Sequence, residues 1–103
     1  FNADPDAAEI RFLCGLQSLA GRSCFFEDAW RVAGDGGPGF TWDNKNPFAA
    51  MVSEPDRRLD YVFVGLPHEN GRGKIVDCRV VMNDARNAVY PTDHFGVLAE
   101  ILI

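Results

Sequence analysis

Residues 59–66 (Leu-Asp-Tyr-Val-Phe-Val-Gly-Leu) carry apolar side chains on both faces of one extended segment. This limits the possible folds more than any other feature of the chain. Successive side chains of a strand point to opposite faces. Leu59, Tyr61 and Phe63 therefore face one way, and Val62, Val64 and Leu66 the other. The closing segment, residues 95–103, repeats the arrangement, with Leu98 and Leu102 opposing Val97, Ala99, Ile101 and Ile103. A sheet packed on one side alternates apolar with polar residues. These strands do not, so each face calls for a covering layer.

The rest of the chain supplies part of that cover. Asp4 can cap a first helix, Pro5 suits its first turn, and Asp6 and Glu9 favour the positive end of its dipole. Ile10, Leu13 and Leu16 recur at helical spacing, widened by Phe12 and Leu19, until Gly21 ends the pattern. A second, shorter helical turn is predicted over residues 27–32, stopped by Gly34. The run Gly34-Asp35-Gly36-Gly37-Pro38-Gly39 lacks the Lys-Ser/Thr ending of a phosphate-binding loop, so its glycines read as turn chemistry. A short strand is predicted over residues 40–42, a long polar loop over 43–57, and a strand over 74–82. The turn over 67–73 has Asn70-Gly71 at its tip. The expected fold is α+β: one mixed, mainly antiparallel sheet with two helices on one face. The helices cover one side. A second sheet or another copy of the chain is expected on the other.

Bulk properties narrow the function classes. With 47% hydrophobic and 24% charged residues in 103, the chain is a single folding domain and not a disordered segment. Its net charge of −5, with Lys and Arg scattered, disfavours a general nucleic-acid-binding surface. The three cysteines, Cys14, Cys24 and Cys78, form no CxxC pair and fit reduced thiols better than a disulfide framework or a zinc site. That usage leans cytoplasmic, while secretion stays open because a signal peptide would lie upstream of Phe1. No run of about twenty apolar residues is present, so no membrane span is expected.

Three short motifs carry the chemistry. They are Phe1-Asn2-Ala3-Asp4-Pro5, Arg58-Leu59-Asp60-Tyr61-Val62-Phe63, and Thr92-Asp93-His94-Phe95-Gly96-Val97-Leu98-Ala99-Glu100. Asp60 sits among apolar neighbours, where a carboxylate is costly unless paired or solvated. It could be a rim residue paired with Arg57 or Arg58, but Asp93-His94 offers a partner of catalytic chemistry. His68, in a turn, reads as a solvent-facing residue, and Trp42 as core. Asp43 and Asn44 suit a turn. Asn, Asp, Asp and His together match what attack on a phosphoester needs: an amide to hold the phosphate, a carboxylate for a divalent ion, and an oriented imidazole.

In this order the motifs resemble the second half of the endonuclease/exonuclease/phosphatase superfamily. Phe1-Asn2 resembles the end of that family's GDFN motif, Thr41-Trp42 its recurrent Thr-Trp, and Thr92-Asp93-His94 its closing Ser-Asp-His with Thr for Ser. The resemblance spans residues 1–103 as the C-terminal half of such a domain. It implies half of a two-sheet α/β sandwich from a Mg²⁺- or Mn²⁺-dependent phosphodiesterase or phosphomonoesterase. By motif, Asn2 would orient the scissile phosphate and Asp93 would lie beside the metal. Asp60 would fix the tautomer of His94, and His94 would contact the phosphate as general base or transition-state stabiliser. The Gly and Asp of GDFN, a metal-binding Glu and a further Asn would precede Phe1. The chain alone is therefore expected to be inactive, its partners being a phosphoester substrate and either the missing N-terminal half or a second copy. The alternative is a non-catalytic interaction domain that binds a partner or itself through an uncovered sheet face.

Overall fold

The computed structural model describes residues 1–103. The order of elements is α1 (Ala8–Leu13), β1 (Glu27–Asp28), α2 (Ala29–Ala33), α3 (Pro47–Ala50), β2 (Phe63–Val64), β3 (Ile75–Val81) and β4 (Gly96–Ile101). The α+β class holds. The strands, however, form two separate two-stranded antiparallel sheets, β1–β2 and β3–β4, instead of one mixed sheet.

Each helix is shorter than its apolar pattern suggested, or lies elsewhere. The helix α1 starts after Ala7, which makes no side-chain cap, and the Asp4 carboxylate instead lies 3.3 Å from Arg57 Nη1. The helix ends at Cys14 because Gly15 takes φ +73°, and a Cβ there would sit 2.8 Å from the Phe25 ring. Leu16 and Leu19 consequently fall outside the helix and are exposed. The second helix begins two residues later than expected. Glu27 and Asp28 form β1, and the Asp28 carboxylate caps α2 by accepting the Trp30 N–H. The polar stretch 43–57 contains α3, capped by Asn46 and led by Pro47 at its first position.

The segment 59–66 is extended but forms a ladder only at Phe63–Val64, which pair with Asp28 and Glu27. Trp42 makes a single bridge to Arg57 where a strand over 40–42 was expected. Both faces of 59–66 nevertheless find partners within the chain. Tyr61 and Phe63 pack on Ala3, Ile10 and Cys14, while Val62 and Val64 pack on Ala29, Ile75 and Cys78. Phe1 adds edge-on contacts to Tyr61 and Phe63. All four side chains remain half-buried, so neither layer is closed.

The turn at Asn70-Gly71 does not join a hairpin. It links β2 to β3, which lie in different sheets, and the hairpin is β3–β4. A bulge between Ile75 and Asp77 lets Ile75 and Cys78 share the buried face despite their odd spacing. On the opposite face Arg79 reaches Glu100 at 3.2 Å and Asp77 at 3.7 Å. That face of the hairpin is charged enough to meet water, unlike the doubly apolar surface expected from the sequence.

Candidate functional site

The site begins with Thr41, whose side chain is fully buried. Its Oγ1 accepts the Leu59 N–H at 3.0 Å and donates to Asp60 Oδ2 at 2.7 Å. A hydroxyl used in both directions cannot rotate freely, so it fixes the Asp60 carboxylate. The same oxygen, Asp60 Oδ2, lies 2.6 Å from His94 Nδ1. An ionised Asp60 only accepts, so the proton between them belongs to Nδ1, and neutral His94 holds its lone pair on Nε2. Nε2 has no hydrogen-bond partner in the chain. About a quarter of the His94 side chain and a third of that of Asp60 remain accessible, at 26% and 32%. The site is thus open on one side.

Two further contacts hold the imidazole. The Trp42 ring meets it edge-to-face, with centroids 5.1 Å apart at 69°. The Phe95 N–H donates to Thr41 O at 2.7 Å, so the residues flanking His94 are tied to the backbone that carries Thr41. Asn46 anchors the other flank. Buried completely, it donates from Nδ2 to Thr92 O (2.7 Å) and Asp93 O (3.3 Å) while its Oδ1 accepts the Phe48 N–H. Neither Arg57 nor Arg58 pairs with Asp60. Arg57 pairs with Asp4 and Glu54, and Arg58 with Asp28.

The remaining motif residues lie around this pair. Asn2 adopts φ +53°, a region Asn tolerates, and its N–H donates to Leu59 O at 3.0 Å. Its backbone is thereby stitched beside Asp60, and its exposed side chain makes no hydrogen bond. Asp93 Oδ1 accepts from the His94 N–H (3.0 Å) and from Thr92 Oγ1 (3.1 Å), which shapes the turn leading into His94. Asp43 accepts from the Lys45 N–H, and Asn44 bridges to Asp56 and Glu54. Both are turn residues. His68 is exposed in its turn.

Sequence reasoning placed Thr41 in a Thr-Trp motif without giving it a role, and it overlooked Asn46. The Asn46-Pro47 pair is a helix-start signal that could have located the latter. The motif does not show what Thr41 does, because its role depends on Asp60, 19 residues away.

Burial raises the Tyr61 hydroxyl well above its ordinary value, so it stays protonated and donates toward Ala3 O and Arg58 O. Burial, and then the charge of Asp28, also push the Cys14 and Cys78 thiols up. All three cysteines are free.

A divalent cation does not fit these residues unaided. Hard cations take six or more oxygen ligands, and no group of three or more His, Cys, Asp or Glu is placed to hold one. Asp93 offers a single carboxylate with one oxygen already engaged. No helix is long and apolar enough to cross a membrane. No family model matches the chain, and neither a curated protein nor a solved structure matches it.

Proposed function

We propose that this chain contributes the His94–Asp60 pair of a divalent-metal-dependent phosphoesterase acting on phosphodiester or phosphomonoester bonds. The observation that carries the reading is the oriented series Leu59 N–H, Thr41 hydroxyl, Asp60 carboxylate and His94 Nδ1, which leaves Nε2 unpartnered toward the accessible side. Unprotonated, Nε2 takes a proton from an attacking water. Protonated, it donates to a phosphoryl oxygen. Asp60 stabilises the imidazolium in either role. Asn2, tethered beside Asp60, is the candidate phosphate-orienting amide, and Asp93 the candidate carboxylate beside Mg²⁺ or Mn²⁺. The other oxygen ligands would come from water, the substrate phosphate and polypeptide outside these residues.

Hydrolysis of bis(p-nitrophenyl) phosphate with Mg²⁺ or Mn²⁺ tests this in a longer polypeptide that carries the preceding half. His94→Ala is expected to lower kcat by about 10²–10⁴-fold, the usual contribution of a positioned acid or base. An unchanged kcat would remove the pair from the chemistry. Metal-dependent turnover by the 103 residues alone would overturn the fragment reading.

A second reading, a non-catalytic interaction domain, has its own observation. The accessible surface is 6640 Å², against about 5800 Å² expected for a monomer of this mass. Phe1 (64% exposed), Leu66 (65%) and Ile103 (103%) are part of the excess. Sedimentation would separate the readings. Self-association that survives His94→Ala, with no activity in the longer polypeptide, favours the binding domain.

A further inference from the structure

A cavity of about 620 Å³ opens between α1, α2 and the glycine-rich loop that follows α2. Its lining includes none of Asn2, Thr41, Asp60, Asp93 or His94. Three of the chain's ten Lys and Arg residues converge on it: Arg11, Arg31 and Arg58. In a chain of net charge −5 this concentration is unexpected. The only carboxylate lining it is Asp6.

The three guanidinium groups differ in what they already bind. Arg58 is buried and lies 2.7 Å from the Asp28 carboxylate, itself almost wholly buried, so its charge is matched. Arg11 and Arg31 have no carboxylate within ion-pair distance, and Arg11 makes only a long contact, 3.4 Å, to Leu16 O. Three guanidinium groups against Asp6 and Asp28 leave the cavity net positive. The opposite wall is rigid. Trp30 Nε1 donates to Gly37 O at 3.0 Å, and Gly34 and Gly39 pack so closely on Trp30 that a Cβ at either would come within 2.5 Å of it. The loop is therefore held in place before any ligand arrives.

We propose that this cavity binds a small polyanion whose paired oxyanion groups, phosphate or carboxylate, engage Arg11 and Arg31. The planar guanidinium fork matches either oxyanion through two parallel hydrogen bonds. The volume is in the range of sites for small organic ligands and exceeds what a single inorganic ion needs. Asp6, the one carboxylate on the lining, can accept from a hydroxyl or amine of the ligand. This site does not depend on the phosphoesterase reading.

The test is calorimetric titration of the full chain with inorganic pyrophosphate in one arm and citrate in the other, both with EDTA to exclude metal-mediated binding. Saturable binding of either probe is expected, weakening as salt rises, and the better probe identifies phosphate or carboxylate as the natural group. Arg11→Ala and Arg31→Ala should each weaken it by about tenfold or more, and Arg31→Lys by less. His94→Ala should leave it unchanged. Absence of saturable binding for both probes, or binding unchanged from the parent chain in both alanine variants, would overturn the proposal. Loss in His94→Ala would also overturn it, by moving the anion to the other site.

Discussion

Thr41 is where a single residue matters most to the candidate site. It is completely buried, and its hydroxyl serves both the Leu59 N–H and the Asp60 carboxylate. Replacing it by the isosteric Val leaves the buried Leu59 N–H without an acceptor and removes one of the two donors to the Asp60 carboxylate, which keeps His94. The orphaned N–H alone falls in the range of about 1–3 kcal/mol. Thr41→Val is therefore expected to destabilise the chain by at least the lower figure in urea unfolding. Thr41→Ser, which keeps the hydroxyl, should recover most of it. If Val and Ser variants unfold together, the hydroxyl is not what holds Asp60. Asn46 works by a similar double use, capping α3 with its oxygen while its amide holds the carbonyls of Thr92 and Asp93. The two residues fix the His94 loop from opposite ends.

Among the elements, α2 and the loop after it interlock through Trp30. Gly39 has φ +66°, and a Cβ there would lie 2.5 Å from the Trp30 indole. Gly39→Ala combines a left-handed backbone with that clash and should cost about 2–3 kcal/mol. Gly65→Ala, with nothing within 4 Å of the added Cβ, should be close to neutral. Thermal unfolding of the pair checks this, and equal melting temperatures would mean that the loop yields. Existence of elements was legible where periodicity was strong. Residues 74–82 and 95–103 read as strands and contain β3 and β4. Their pairing was not legible, because Asn70-Gly71 is a strong local turn signal and pairing across residues 82–95 depends on tertiary packing. The first helix was read too long because Leu16 and Leu19 continue its stripe, whereas Gly15 has already turned the chain. For the site, Asp60 and His94 could be picked out by their chemistry. The role of Thr41 could not, since the Thr-Trp motif says nothing of a partner 19 residues away.

The molecule as a whole is thin and spread out. Its Cα radius of gyration is 15.2 Å, where about 13 Å is typical for this length, and its extents are 46 × 33 × 20 Å. Three small clusters replace one continuous core. One of them supplies a pH response. Folding raises the Tyr61 hydroxyl above its ordinary value of about 10. Above that pH the unfolded chain releases this proton while the folded chain retains it. The unfolded state then binds fewer protons, so stability falls as pH rises. Tyr61→Phe should flatten the loss of stability above about pH 10, and an unchanged alkaline slope would assign it to other groups. The shape also changes what the His94–Asp60 contact means. Thr41, Asp60 and His94 come from three separate stretches of chain, and no local structure brings any two together. The proton between Nδ1 and Oδ2 is consequently a gauge of assembly. Its magnetic resonance signal should appear only when these stretches have docked, and its disappearance would mark their parting.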